Sequence, residues 1–137
     1  MNSKIQGIIQ EWCYEGHSYL YDEQPADMKL LEAYLDSQTT LTVGSIYRRT
    51  DRAPVMEAQE GDVIRLDRVT SWSGNPDICD AMYEEVESCM LVLVDELVRG
   101  VHVTDISFYK DEEEMMLSPC TLKVTKKSGD VLECSYI

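Results

Sequence analysis

The sequence predicts an α+β domain in which N-terminal helices precede a mostly antiparallel or mixed β-sheet. Three observations carry this. Apolar residues recur at helical spacing between Ser3 and Leu35, strand-like segments take over from Thr42 onward, and one helix-like segment interrupts the strands. Helices first and strands afterwards is not the alternation that builds a parallel sheet. The 137 residues contain no internal repeat, low-complexity tract or Gly-, Pro- or Ser-rich linker, so residues 1–137 are expected to form a single domain with its own core.

Ser3 followed by Gln6 has the form of a capping box, and Ile5, Ile8, Ile9 and Trp12 then share one helical face. A second helix is expected to begin near Pro25, with Met28, Leu31 and Leu35 turned inward. Between the two, Tyr14, Tyr19 and Tyr21 are expected to serve core and turn. "LTVGSIYRR" and "GDVIRLDRVTSWS" have β character, and in the second Ile64 and Leu66 alternate with Arg65 and Asp67. "GNPDICDAMYEEVES" offers Asn75 as a helix cap and Pro76 at the first helical position, with Ile78, Met82 and Val86 inward. Strands are then expected from "CMLVLVDELV", "GVHVTDIS", "EEMML", "CTLKVTKK" and "DVLECSYI", the last two joined by a hairpin-like break at Ser128-Gly129.

Composition narrows the function. Against 26 acidic residues stand 12 basic ones, a net charge of −14, which argues against a grip on nucleic-acid phosphates and favours basic partners. One basic island interrupts this background. "YRRTDR" places Arg48, Arg49 and Arg52 within five residues, a cluster that suits either an anionic ligand or ordinary surface ion pairing. The apolar run "CMLVLV" has the length of a strand, not of a membrane span, and the N-terminus makes a poor secretory signal. A cytoplasmic setting is expected, without membrane contact. The five cysteines (13, 79, 89, 120 and 134) show no Cys-x-x-Cys spacing, so reduced thiols are expected, with Cys89 and Cys120 as small core residues. His17 and His102 lack a second ligand at helical or strand spacing, and no metal is expected.

The chemistry centres on "SFYKDEEEMMLSP", residues 107–119. If a strand begins at the second or third acid, Glu112 and Glu114 share a face about 7 Å apart, with Met115, Met116 and Leu117 running into the core. Two carboxylates so placed raise each other's pKa, as functional sites often tolerate. In "SWSG", Ser71 and Ser73 share a strand face and Trp72 opposes them. No Gly-x-Ser-x-Gly elbow accompanies these serines.

Taken in order, "IYRR", "TSWS" and "FYKDEEEMMLSP" resemble the mono-ADP-ribosyltransferases, whose site is built from an Arg, a Ser-x-Ser and a Glu-x-Glu. The likeness runs from about Met28 to Val131 and implies a split β-sheet core of the ADP-ribosyltransferase type. It implies NAD as the substrate, with no metal. Arg48 would contact the NAD phosphates, and Ser71 would hydrogen-bond the catalytic glutamate or the nicotinamide ribose. Trp72 and Ser73 would belong to the NAD-binding residues, Trp72 either crowding the nicotinamide pocket or stacking beside it. Glu114 would bind the ribose 2′-hydroxyl and stabilise the oxocarbenium-like transition state, while Glu112 would orient the acceptor. Phe108 or Tyr109 would touch the target protein. A glutamate at the first position of that motif goes with arginine as acceptor. Three departures stand out: Arg49 replaces the Gly that often follows the Arg, Trp72 replaces Thr, and Val69 stands where an aromatic is common. The family's habits further suggest a phage-like or toxin-like modifier acting in a host cell. Two alternatives are an NAD glycohydrolase using the same glutamate and a small acidic binding protein or nucleic-acid mimic.

Overall fold

A computed structural model of the protein describes residues 1–15, 17–42, 44–82, 86–104 and 113–137, without the side chains of residues 15, 17, 18 and 80–82. Three helices come first: α1 (Ser3–Glu15), α2 (His17–Glu23) and α3 (Pro25–Asp36). Strands β1 (Thr39–Leu41) and β2 (Ile46–Thr50), the short helix α4 (Ala53–Met56), and strands β3 (Val63–Leu66) and β4 (Thr70–Ser73) follow. Helix α5 (Pro76–Met82) then leads to β5 (Cys89–Leu93), β6 (Leu97–His102), β7 (Glu114–Leu117), β8 (Cys120–Ser128) and β9 (Val131–Tyr136).

The strands form one sheet in the order β1-β6-β7-β4-β2-β5-β9-β8-β3. β5 and β9 pair parallel; the other neighbours are antiparallel, so the sheet is mixed as expected. It separates two apolar clusters. On one face Ile5, Ile8, Ile9 and Trp12 of α1, Leu20 of α2, and Met28, Leu31 and Leu35 of α3 cover Val69, Val101, Val103 and Met116. On the other face every strand except β1 contributes, from Ile64 and Leu66 on β3 to Met115 and Leu117 on β7. One cluster can draw on both flanks of the sheet because the sheet bends around it, as twisted strands allow. Burying each such leucine or isoleucine stabilises the fold by about 1.5–3 kcal/mol.

Several expectations change in detail. Asn2, not Ser3, caps α1: its side-chain oxygen accepts from the Ile5 N–H at 2.9 Å. The segment read as core and turn is the helix α2, fixed by the fully buried Leu20, because so short a helix depends on packing. Tyr14 and Tyr19 are exposed and Tyr21 is half-buried. "LTVGSIYRR" divides into β1 and β2 around Gly44, whose φ of 82° suits a residue without Cβ. "GDVIRLDRVTSWS" divides into β3, at the sheet edge beside β8, and β4, between β7 and β2. The alternation of Ile64 and Leu66 with Arg65 holds. Among the described side chains of α5, Cys79 is buried and Ile78 half-buried, that of Met82 lies outside them, and Val86 lies beyond the helix and is exposed. Asn75 caps α5 as expected, its Oδ1 accepting from the Asp77 N–H at 3.0 Å.

Candidate active site

The site forms where β4 and β7 lie side by side and α1 crosses them. The register sets Thr70 opposite Leu117, Ser71 opposite Met116, Trp72 opposite Met115 and Ser73 opposite Glu114. Opposite residues share a face and successive residues alternate, so Ser71, Ser73, Glu114 and Met116 look toward the helices. Trp72 and Met115 look into the second core. Trp72 is 2% exposed and its indole donates to Thr70 Oγ1 at 2.7 Å. The tryptophan expected at the nicotinamide pocket is therefore a core residue on the opposite face, placed there by strand alternation.

The strand carrying the acids begins at the fourth of them, Glu114, later than expected. Glu113 has φ 49°, a conformation uncommon for a side-chain-bearing residue, and its carbonyl accepts from the Gly74 N–H at 3.2 Å. Strand β7 starts directly after this residue. Glu112, Phe108 and Tyr109 lie outside the described residues.

Glu114 itself is buried, with 8% exposure. Cys13 Sγ donates to its Oε1 at 3.7 Å, and the Ser71 side chain is hydrogen-bonded to the same carboxyl. Burial pushes the Glu114 pKa above the ordinary carboxylate value, and the hydrogen bonds from Ser71 and Cys13 pull against that rise. The carboxylate is thus desolvated yet held by donors, a combination that concentrates negative charge at a fixed point.

Ser71 joins the parts. Its hydroxyl accepts from Trp12 Nε1 at 2.8 Å, and its carbonyl accepts from Arg48 Nη1 at 3.0 Å. Arg48 lies in the middle of β2, not at its end. Tyr47 stands opposite Ser73, so Arg48 leaves the strand on the face of Trp72 and reaches Ser71 through main chain. With Thr50, Arg52, Arg68 and Thr70 it lines a cavity of about 460 Å³. Arg49, its side chain mostly buried, pairs with the exposed Asp130 at 3.1 Å and donates to Ser88 Oγ at 3.0 Å. The Ser73 hydroxyl accepts from the Asn75 N–H at 2.9 Å, tying β4 to the start of α5.

The structure therefore gathers Glu114, Ser71 and Arg48 around one strand and adds Trp12 and Cys13. Sequence reasoning placed Trp12 on the buried helical face but not at the site, and it gave Cys13 no role. Contacts spanning 59 and 101 residues leave no local signal. Among the described residues no group of three His, Cys, Asp or Glu side chains could hold a metal ion. Nor, among them, is any helix long and apolar enough to cross a membrane.

No protein-family model and no curated protein sequence matches the chain. Solved structures do. Exoenzyme S of Pseudomonas aeruginosa, solved with human 14-3-3 protein beta and bound to carba-NAD, superposes with a TM-score of 0.76 at 17% identity, over 98% of this chain and 74% of that one. Plx2a, an ADP-ribosyltransferase toxin from Paenibacillus larvae, gives 0.71 at 14% identity, over 100% and 87%. The ADP-ribosyltransferase Vis from Vibrio splendidus gives 0.67 at 12%, over 99% and 74%, and has also been solved with agmatine. The helices, the bent mixed sheet and the strand pair that carries Ser71 and Glu114 make up the fold of the ADP-ribosyltransferases.

Proposed function

We propose that this protein transfers ADP-ribose from NAD to a protein side chain, by preference arginine, and releases nicotinamide. The observation that carries the reading is Glu114, a buried carboxylate held by Ser71 and set on β7 of an ADP-ribosyltransferase fold. As the bond between the ribose anomeric carbon and the nicotinamide nitrogen breaks, its electron pair leaves with nicotinamide and positive charge builds on the sugar. A fixed carboxylate beside that sugar stabilises the transition state more than the ground state. Glu114 takes this role and binds the ribose 2′-hydroxyl. Ser71 holds it in place. Arg48, and Ser73 at the end of β4, complete the NAD contacts, the arginine through its fork to the diphosphate.

Glu112 receives the proton that the acceptor guanidinium loses as its nitrogen bonds the sugar, which needs a positioned base because a guanidinium stays protonated in water. Phe108 and Tyr109 meet the target protein. NAD as substrate is supported by the carba-NAD bound to Exoenzyme S, and a guanidinium acceptor by the agmatine bound to Vis, since agmatine carries the same head group as arginine. The net charge of −14 favours a basic, arginine-presenting target, met in the cytoplasm of a host cell.

The test is incubation of the full chain with labelled NAD and a cell lysate, with Glu114→Gln alongside. Label on protein from the wild type alone supports the transferase. Nicotinamide release without labelled protein points to a glycohydrolase, and no turnover with no NAD binding by calorimetry overturns both.

A further inference from the structure

We propose that Trp12 is a positioning residue for Glu114: its indole N–H occupies the acceptor side of the Ser71 hydroxyl and so commits the one Ser71 proton to the carboxylate. Its catalytic meaning rests on Glu114 being the residue that faces the departing nicotinamide.

A serine hydroxyl has one proton to give and can rotate among acceptors, whereas an indole can only donate. The Trp12 Nε1 to Ser71 Oγ bond of 2.8 Å must therefore run from tryptophan to serine. Ser71 keeps its own proton for another acceptor, and the Glu114 carboxyl stands diagonally across from it on the same face of the β4–β7 pair. Donation into the hydroxyl polarises its O–H and strengthens the bond it makes in turn. The chain Trp12–Ser71–Glu114 thus has a fixed direction, ending on the carboxylate.

The tryptophan is itself held. It is 3% exposed, and the Tyr21 ring meets it edge-on, with centroids 6.4 Å apart. The Tyr21 hydroxyl accepts from the Val69 N–H at 2.7 Å and donates to Glu32 at 2.7 Å. The two aromatic side chains therefore grip Ser71 of β4 and the main chain of Val69 just ahead of that strand. Arg48 holds the carbonyl of the same serine. Ser71 is restrained at both its main chain and its side chain, leaving the carboxylate as the end of the relay.

The test compares wild type, Trp12→Phe, Ser71→Ala and the double variant, each as the full chain with glutamate δ-carbons labelled for NMR. Trp12→Phe should move the Glu114 titration to higher pH, and should change nothing further once Ser71 is alanine. It should lower kcat about tenfold with little change in KM for NAD, as befits the loss of one hydrogen bond in the relay. An unmoved Glu114 titration, or an equal shift in the Ser71→Ala background, would show that Trp12 acts through packing and would overturn the proposal. Should Trp12→Phe fail to fold, the wild type suffices: the Trp12 indole N–H resonance should titrate with the same midpoint as the Glu114 carboxyl. An indole signal that ignores that midpoint rejects the relay. The NMR readout needs no turnover, so an absence of NAD activity would count against the proposed function and leave the relay standing.

Discussion

Arg48 meets Ser71 through the main chain: its guanidinium donates to the Ser71 carbonyl at 3.0 Å, while the hydroxyl of the same serine serves Glu114. The arginine fixes the strand from which the Glu114 carboxylate is steadied. Arg48→Lys keeps the charge but loses the planar fork. Activity should fall about 10- to 100-fold, with kcat reduced as well as KM raised. Steady-state kinetics over a range of NAD concentrations separates the two. A rise in KM alone would confine Arg48 to NAD binding.

Glu114→Gln should remove activity by at least about a hundredfold while making the protein more stable near neutral pH. The folded protein holds the Glu114 proton more tightly than the unfolded chain does, because burial raises its pKa. Between the unfolded and folded pKa values the native state binds more protons, so this residue's contribution to stability falls as pH rises through that window. Above the window the penalty is fully present; below the ordinary carboxylate value of 4.5 it is absent. Thermal melts of both proteins should therefore diverge at pH 7 and converge in acid. Equal melting temperatures at pH 7 would show that the hydrogen bonds fully offset the burial.

The pH profile of activity follows from the same carboxyl. In the proposed reaction it must be ionised to stabilise a cationic sugar, so kcat/KM should rise with pH along an acid limb set by Glu114 of the free protein, above the usual carboxylate range. Cys13→Ala removes one donor and should carry that limb to still higher pH, by less than Ser71→Ala does, since a thiol at 3.7 Å is the weaker donor. A Cys13→Ala profile that overlays the wild type would dismiss the thiol from the site.

Gly100 lies where β6 passes close to β7. A Cβ at that position would fall 2.0 Å from the Met116 carbonyl oxygen, and backbone cannot swing away as a side-chain end can. Gly100→Ala should destabilise the fold by about 3 kcal/mol and reduce activity as well, because Met116 and Glu114 share β7. Chemical denaturation measures the first effect. A loss below about 1 kcal/mol would mean that the two strands part easily.

The fold class was legible because the helical period ends before Thr42, and the strands that follow carry their own turn residues. Places where tertiary pairing decides were not legible. Nothing local separates β3 from β4 within one β-like run, yet the two end up with different neighbours across the sheet. The short α2 exists because Leu20 finds a buried slot. At the site, strand period alone puts Ser71 and Ser73 on one face, and it also turns Trp72 away, against the resemblance. Glu113 shows the limit of such periodicity for element bounds, since a residue at positive φ sits immediately before the strand, which starts later among the acids than their pattern suggests. Trp12 and Cys13 escape any local pattern, because residues this far apart in sequence meet only in the finished fold.

The docking of α1 has a consequence for how the protein fails. Ile5, Ile8, Ile9 and Trp12 hold that helix against the sheet, and the same helix delivers the indole and the thiol to Ser71 and Glu114. Helices that are covered on one side only can detach at lower free energy than the strands beneath them. If α1 lifts, Glu114 is flooded by water and loses its fixed direction while the sheet is still paired. Heating or denaturant would then silence the proposed transfer before circular dichroism reports melting, and turnover would become the most sensitive thermometer of one helix.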